Sequence, residues 1–146
     1  MTLFPPFPKT LSEHPKKPVT KNGFKQGYRT DLGEIYFRSG WEANYARYLN
    51  FLIKQKIIYK WEFEPDTFWF DNIKRGVRSY LPDFKIWDTK FSEPYYVEIK
   101  GHMDSRSRTK INRMAKYYPA IRLDVVTKTE YSEIKRKLSK IIPNWE

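Results

Sequence analysis

The 146-residue chain contains no cysteine. Disulfide scaffolds, thiolate zinc sites and cysteine nucleophiles are therefore excluded, and a cytoplasmic setting is expected. Histidine is almost missing too, with only His14 and His102. A His-rich metal site is thereby excluded. Any metal must be held by carboxylates, which suit hard ions such as Mg²⁺ or Mn²⁺. The sequence has no long apolar run of the length a membrane helix needs, so no membrane span is expected. Its opening stretch, MTLFPPFPKT, lacks a charged start followed by an apolar segment, so no signal peptide is expected. Acid is scarce as well. Against 28 Lys and Arg stand 17 Asp and Glu, a formal charge of +11 and a pI near 9.7. Such a balance at this size points to a polyanionic partner.

Aromatic residues are plentiful, at 18% of the chain: 10 Phe, 11 Tyr and 5 Trp. A chain this rich in large apolar rings can bury a core, and its length suits one domain with a tail. Residues 1 to about 30 have a different character. They hold five of the ten prolines and six basic residues against one acid, Glu13. Proline at that density opposes helix and central strand. The expectation is an extended basic arm over 1–30, ordered where Phe4, Phe7 and Phe24 find a surface, followed by a folded domain over 31–146.

Within that domain, Trp41, Tyr45, Tyr48, Leu49 and Leu52 recur at helical spacing after Ser39. Ile57–Glu64 reads as a strand, with Thr67–Phe70 continuing or pairing with it. The run 71–76 (DNIKRG) is a turn. Strands are expected over Ser79–Trp87 and Tyr95–Lys100, a helix from Ser105 to Tyr118, and a strand over Ile121–Val126. A last helix over 129–142 would bury Tyr131, Ile134, Leu138 and Ile141. The order α-β-β-β-α-β-α predicts an α/β (α+β) fold, a mixed central sheet flanked by helices.

Three acids and a lysine stand out. Glu98 and Lys100 lie two apart on a strand, so both project from one face while Val97 and Ile99 project from the other. Asp83 lies 15 residues before Glu98 on the preceding strand, and a hairpin through Asp88–Pro94 brings the two together. Converging carboxylates make an oxygen-rich pocket for a divalent cation. A lysine beside them can orient or deprotonate a water, or stabilise charge on a phosphate. The plain alternative is a solvent-facing strand edge with a Glu–Lys pair. Glu42 has two candidate roles. Ser39-x-x-Glu42 fits a capping box, in which Glu42 bonds back to the Ser39 amide. It also sits at the border of the helix's buried face, from which it can reach the pocket as a direct or water-mediated metal ligand.

Taken together, Phe37-Arg38-Ser39-Gly40 with Glu42, then Pro82-Asp83-Phe84, then Val97-Glu98 with Lys100-Gly101 resemble the PD-(D/E)XK nuclease superfamily. Within it, the chain is similar to the bacteriophage endonuclease I group of junction-resolving enzymes. The likeness runs from about residue 37 to 126. It implies a restriction-endonuclease-like αβββαβ core and a metal-dependent phosphodiesterase acting on DNA. By that likeness Asp83 and Glu98, with the Ile99 carbonyl, bind Mg²⁺ or Mn²⁺. Lys100 acts on the attacking water and Glu42 completes the site. The stretch between the first helix and first strand is longer than in that group. The group's second helix-side acid then has no clear counterpart, and Glu62 or Glu64 is the substitute.

The cations fit a DNA partner. Arg106, Lys110, Arg113 and Tyr117 form one stripe of the second helix, with Ile111, Met114, Ala115 and Tyr118 on another face. Arg108 and Lys116 add charge. Ser105 and Ser107 at its start offer phosphate contacts. Lys74, Arg75 and Arg78 make a second basic cluster beside the Asp83 strand, and Arg38 a further DNA contact. His102 directly follows the motif. A branched junction is two-fold symmetric, so a homodimer would suit it. The aromatic segment Phe63–Phe70 supplies either that interface or core. The competing reading is a DNA-binding protein without catalysis, to which paired acids in a basic cleft would contribute nothing.

Overall fold

The computed structural model describes residues 26–146. Most of the proline-rich arm, with Phe4, Phe7 and Phe24, lies outside the described residues. Residues 26–30, expected to belong to that arm, are instead tied to the folded part. Gly27 exchanges backbone hydrogen bonds with Phe37, and Arg29 bonds the carboxylate of Glu146 at 2.7 and 2.8 Å.

Three helices and six strands follow: α1 (Gly40–Lys54), β1 (Ile58–Phe63), β2 (Phe68–Trp69), β3 (Ser79–Tyr80), β4 (Phe84–Asp88), β5 (Tyr95–Ile99), α2 (Ser105–Tyr117), β6 (Leu123–Val126) and α3 (Lys128–Leu138). Four strands form a mixed sheet in the order β1-β4-β5-β6, antiparallel except for the parallel pair β5–β6 that α2 connects. β2 and β3 pair as a separate small sheet. The expected α+β architecture is present.

The strands depart from expectation twice: Phe68–Trp69 pairs with Ser79–Tyr80 and neither continues nor pairs with β1, and one expected strand is split. Ser79–Trp87, expected as a single strand, breaks at Leu81-Pro82-Asp83 into β3 and β4. Proline has no N–H to give a ladder, so pairing stops there and the chain crosses from the small sheet to the large one. The last helix also ends early, at Leu138. A tight turn then follows, with the amides of Ile141 and Ile142 both bonding Leu138 O. That turn buries Ile142 and exposes Ile141, reversing the expectation from helical periodicity.

α1 starts at Ser39, whose Oγ accepts from the Glu42 amide at 3.2 Å. Its apolar face covers the four-stranded sheet: Ala43, Ala46, Leu49 and Ile53 pack with Trp61, Phe84, Ile86 and Val97. A second core, Phe70, Val77, Tyr80 and Met114, joins the small sheet to α2. Of the aromatics in Phe63–Phe70, Phe70 is buried, Phe63 and Phe68 are half-buried against the two cores, and Trp69 is exposed. Among the described residues no helix is long and apolar enough to cross a membrane.

Candidate active site

Strand register decides the centre of the site. Phe84 pairs with Val97 and Lys85 with Tyr96, so the next step along the antiparallel ladder sets Asp83 opposite Glu98. Asp83 precedes β4 rather than lying in it, yet it is held from three directions. Its Oδ2 accepts from Ile99 N at 2.7 Å, its own carbonyl accepts from Glu64 N at 2.8 Å, and Pro82 before it is fully buried. Extended geometry sends the N–H and C=O of one residue to the same edge, so the Ile99 carbonyl also faces the Asp83 side. The next residue, Lys100, is pinned to β6 by its amide on Val126 O at 2.9 Å.

Glu42 departs from a simple capping box. Its amide is capped by Ser39, but its carboxylate accepts from the Arg38 amide at 2.8 Å, one residue earlier than expected. Only 8% of Glu42 is exposed. It reaches the same cluster, because its charge acts on Asp83. Of Glu62 and Glu64, only Glu64 joins the cluster around Arg38. Strand alternation would put Glu62 and Glu64 on one face, but Glu64 has φ +49, which turns it off the strand. Glu62 stays half-buried on the strand and pairs with Lys60 at 3.1 Å. Glu64 instead meets the Arg38 guanidinium.

Arg38 is therefore the hub of the acids. It contacts Glu64, stands 3.9 Å from Glu42 and lies 3.7 Å from Asp83. Expected from sequence to contact DNA, it also serves as the counter-ion of three carboxylates while its side chain stays half exposed. One guanidinium does not balance them. Burial pushes the Asp83 carboxyl well above its ordinary range, and the charges of Glu98 and then Glu42 push it further. Burial also raises Glu42 and Glu98. The Tyr80 hydroxyl is the foremost group offsetting that burial at Glu98, followed by Lys100. The Tyr80 Oη and Glu98 Oε2 are nevertheless both buried without a well-formed hydrogen bond.

Among the described residues no three of His, Cys, Asp and Glu form a group ready to hold a metal ion. Glu42 and Glu64 turn toward Arg38, which leaves Asp83 and Glu98 as the converging pair. Their donor chemistry fits a hard divalent cation: two carboxylates, one with an oxygen lacking a partner, and a carbonyl on the same edge.

The basic residues divide. On α2, the half-buried stripe Lys110, Arg113 and Tyr117 leans on the small sheet. Lys110 Nζ lies 6.0 Å from the Tyr80 ring centre and acts on Glu98, Arg113 donates to Val77 O, and Tyr117 packs on Phe70 at 5.5 Å. Ala115, expected on the apolar face, is exposed. The reason is that the second core lies against one side of α2 only, through Met114. Arg106, Arg108 and Lys116 point outward. Asp104 caps this helix by accepting from Ser107 N at 2.7 Å, so that amide is already engaged and Ser107 is buried. In the 71–78 loop, Arg78 donates to Lys74 O at 2.6 Å, while Lys74 and Arg75 are exposed.

A groove of about 740 Å³ opens beside the acids, between the start of α1, the end of β5 and α3. Arg38, Glu42, Ile99, Lys100 and His102 line it, as do Lys128, Tyr131 and Lys135 of α3. Its wall includes Trp41 stacked on Tyr131 at 4.1 Å and 8°. The part α3 plays was not visible in the motif, because residues 128–135 are brought there by the β6 crossover alone.

Compared with family models, curated proteins and solved structures, the chain matches none.

Proposed function

We propose that this chain is a Mg²⁺- or Mn²⁺-dependent endodeoxyribonuclease of the PD-(D/E)XK kind, acting on branched DNA. The observation that carries the reading is the placement of Asp83 directly opposite Glu98, with Lys100 two residues further along the same strand. Both carboxylates are destabilised by burial, and the charge of Glu98 adds to that at Asp83, in a protein whose overall charge is +11. A cation bound there relieves that repulsion, and a phosphate then approaches a neutralised pocket.

Asp83 and Glu98, with the Ile99 carbonyl, would hold the ion. When bound, the metal supplies Lewis-acid polarisation of the phosphate and a water of lowered pKa. Lys100 orients the attacking water in line with the scissile bond and accepts or relays its proton. Glu42 holds the Arg38 backbone beside the ion site. Arg38, half exposed at the mouth of the groove, neutralises charge on the phosphate. Cytoplasmic action, in a host cell if the gene is viral, and a homodimer on a two-fold junction belong to the same reading.

The test is a panel of four-way junction, flap, single-strand and linear duplex DNA with and without Mg²⁺, run beside sedimentation. Cleavage is expected on the junction first. Nicking, single-strand cutting or sequence-specific cutting would redirect the substrate assignment without moving the site. Asp83→Asn is expected to abolish cleavage while DNA binding survives. Wild-type cutting by that variant would overturn the site.

A second reading has one observation in its favour. Arg38 already gives Glu42, Glu64 and Asp83 a counter-ion, as a purely structural cluster would require. The chain would then bind DNA without cutting it. Calorimetric titration with Mn²⁺ separates the two, since a structural cluster takes up no divalent ion.

A further inference from the structure

The cations of α3 fall into two groups. Arg136 and Lys137 share the carboxylate of Glu133, at 3.0 and 3.4 Å, on the side turned away from the groove. Lys128 and Lys135 are seven apart, so they lie on one face two turns from each other. They line the groove, are exposed, and have no ion pair among the described residues. Lys100 and His102 line the same groove. The acids on this lining are accounted for internally: Glu42 by the Arg38 amide and guanidinium, and Glu146 by Arg29 and Arg47. The cations therefore dominate the free charge of the groove, one of whose lining residues, Arg38, lies 3.7 Å from Asp83.

We propose that this groove carries the phosphodiester backbone of the DNA on one side of the scissile bond. Lys128 and Lys135 contact successive phosphates, and Lys100 and His102 face the same strand nearer the acids. Unpaired lysines one helix face deep in a concave wall suit a polyanion, since each phosphate contact releases condensed counter-ions from the DNA. The opposite wall of the site is a poorer track. There Lys110, Arg113 and Arg78 are engaged by Tyr80, Val77 and Lys74. The placement deepens the nuclease reading by naming the path of its substrate.

The experiment is fluorescence anisotropy of labelled junction and duplex DNA without divalent ions, over a range of NaCl concentrations. Three full-length proteins are compared: wild type, Lys128→Ala/Lys135→Ala and Arg136→Ala/Lys137→Ala. The two variants lose the same formal charge, so a general electrostatic effect moves both alike. The groove variant is expected to lower the slope of log affinity against log salt by roughly 0.9 per contact on duplex, or about 1.8 in all. The Glu133-side variant is expected to follow wild type. Thermal melts check that both are folded. Equal losses in the two variants, a wild-type slope in the groove variant, or no DNA binding by wild type would each overturn the track. Wild type that binds through the groove lysines but never cuts with Mg²⁺ would instead overturn the catalytic reading and leave the track standing.

Discussion

Two arginines, nine residues apart on one stretch of chain, meet acids in opposite ways. Arg47 is buried, its side chain 6% exposed, and its donors are well used. It bonds both oxygens of Asp31 at 2.8 and 3.1 Å, Glu146 at 2.9 Å and Asn44 at 2.9 Å. Burial works against the Glu146 charge, but hydrogen bonds from Arg29 and Arg47 overcome it and hold that carboxyl below its ordinary range. Arg38 is half exposed, touches three acids, and approaches two of them only to 3.7 and 3.9 Å. Its neighbours Glu42 and Asp83 are pushed up instead of down. The same residue types build a satisfied lock at Arg47 and an under-neutralised cluster at Arg38. A fold tolerates the second arrangement where some further cation or a reaction makes use of it.

The contrast is open to direct attack. Asp83→Asn should show the largest effect: no detectable Mg²⁺-dependent cleavage, read on the junction substrate. The same variant should melt higher than wild type in metal-free buffer near neutral pH, by a few degrees, as ~1 kcal/mol does for a domain of this size. The sign follows from proton uptake. A carboxyl raised in the folded state keeps its proton there at a pH where the unfolded chain has lost it. Stability is full below the ordinary carboxyl value and declines as pH rises through the raised one. Asparagine removes that decline, and a flat melting profile in wild type across the acid-to-neutral range would contradict the raised carboxyls. Lys100→Ala should slow cleavage by about 10²–10⁴-fold, the scale of one proton-transfer group. Its DNA affinity should fall by far less, as anisotropy would show.

At the lock, Arg47→Ala should cost about 3 kcal/mol in urea unfolding, the scale for breaking a buried ion pair. Its pH profile should have the opposite sense to the Asp83 effect. The depressed Glu146 carboxyl contributes stability above its ordinary value and loses it as pH falls through the lowered one. Arg38→Ala, at a half-exposed position, should cost no more than about 1 kcal/mol without metal. It should also make the protein more stable on adding Mn²⁺ than wild type becomes, because no guanidinium competes for the acids. A smaller Mn²⁺ shift than wild type would mean that Arg38 helps to build the ion site.

Much of the fold was legible in the residues. Helical spacing after Ser39, the strand runs around Trp61 and Val97, and the basic segment before Pro119 each matched an element. Those patterns are local: they record which face of a helix or strand is apolar. The Asp83–Glu98 convergence was legible too, because a hairpin makes neighbours of residues a short loop apart. Glu64 was only half legible, since alternation pairs it with Glu62, and its positive φ is set by the end of β1 rather than by residue type. Arg113 and Lys110 looked like surface charge because a helical wheel does not show the small sheet they lean on.

By itself, the chain determined most of its elements, its excess of positive charge and its lack of cysteine, because composition and periodicity act over a few residues. Only the tertiary structure decided which arginine became a lock and which the hub of the acids. It also brought α3, some thirty residues beyond Glu98 in sequence, to the edge of the same groove. Charge pairing and burial depend on distances across the sheet, and those are set by the register β1-β4-β5-β6 as a whole.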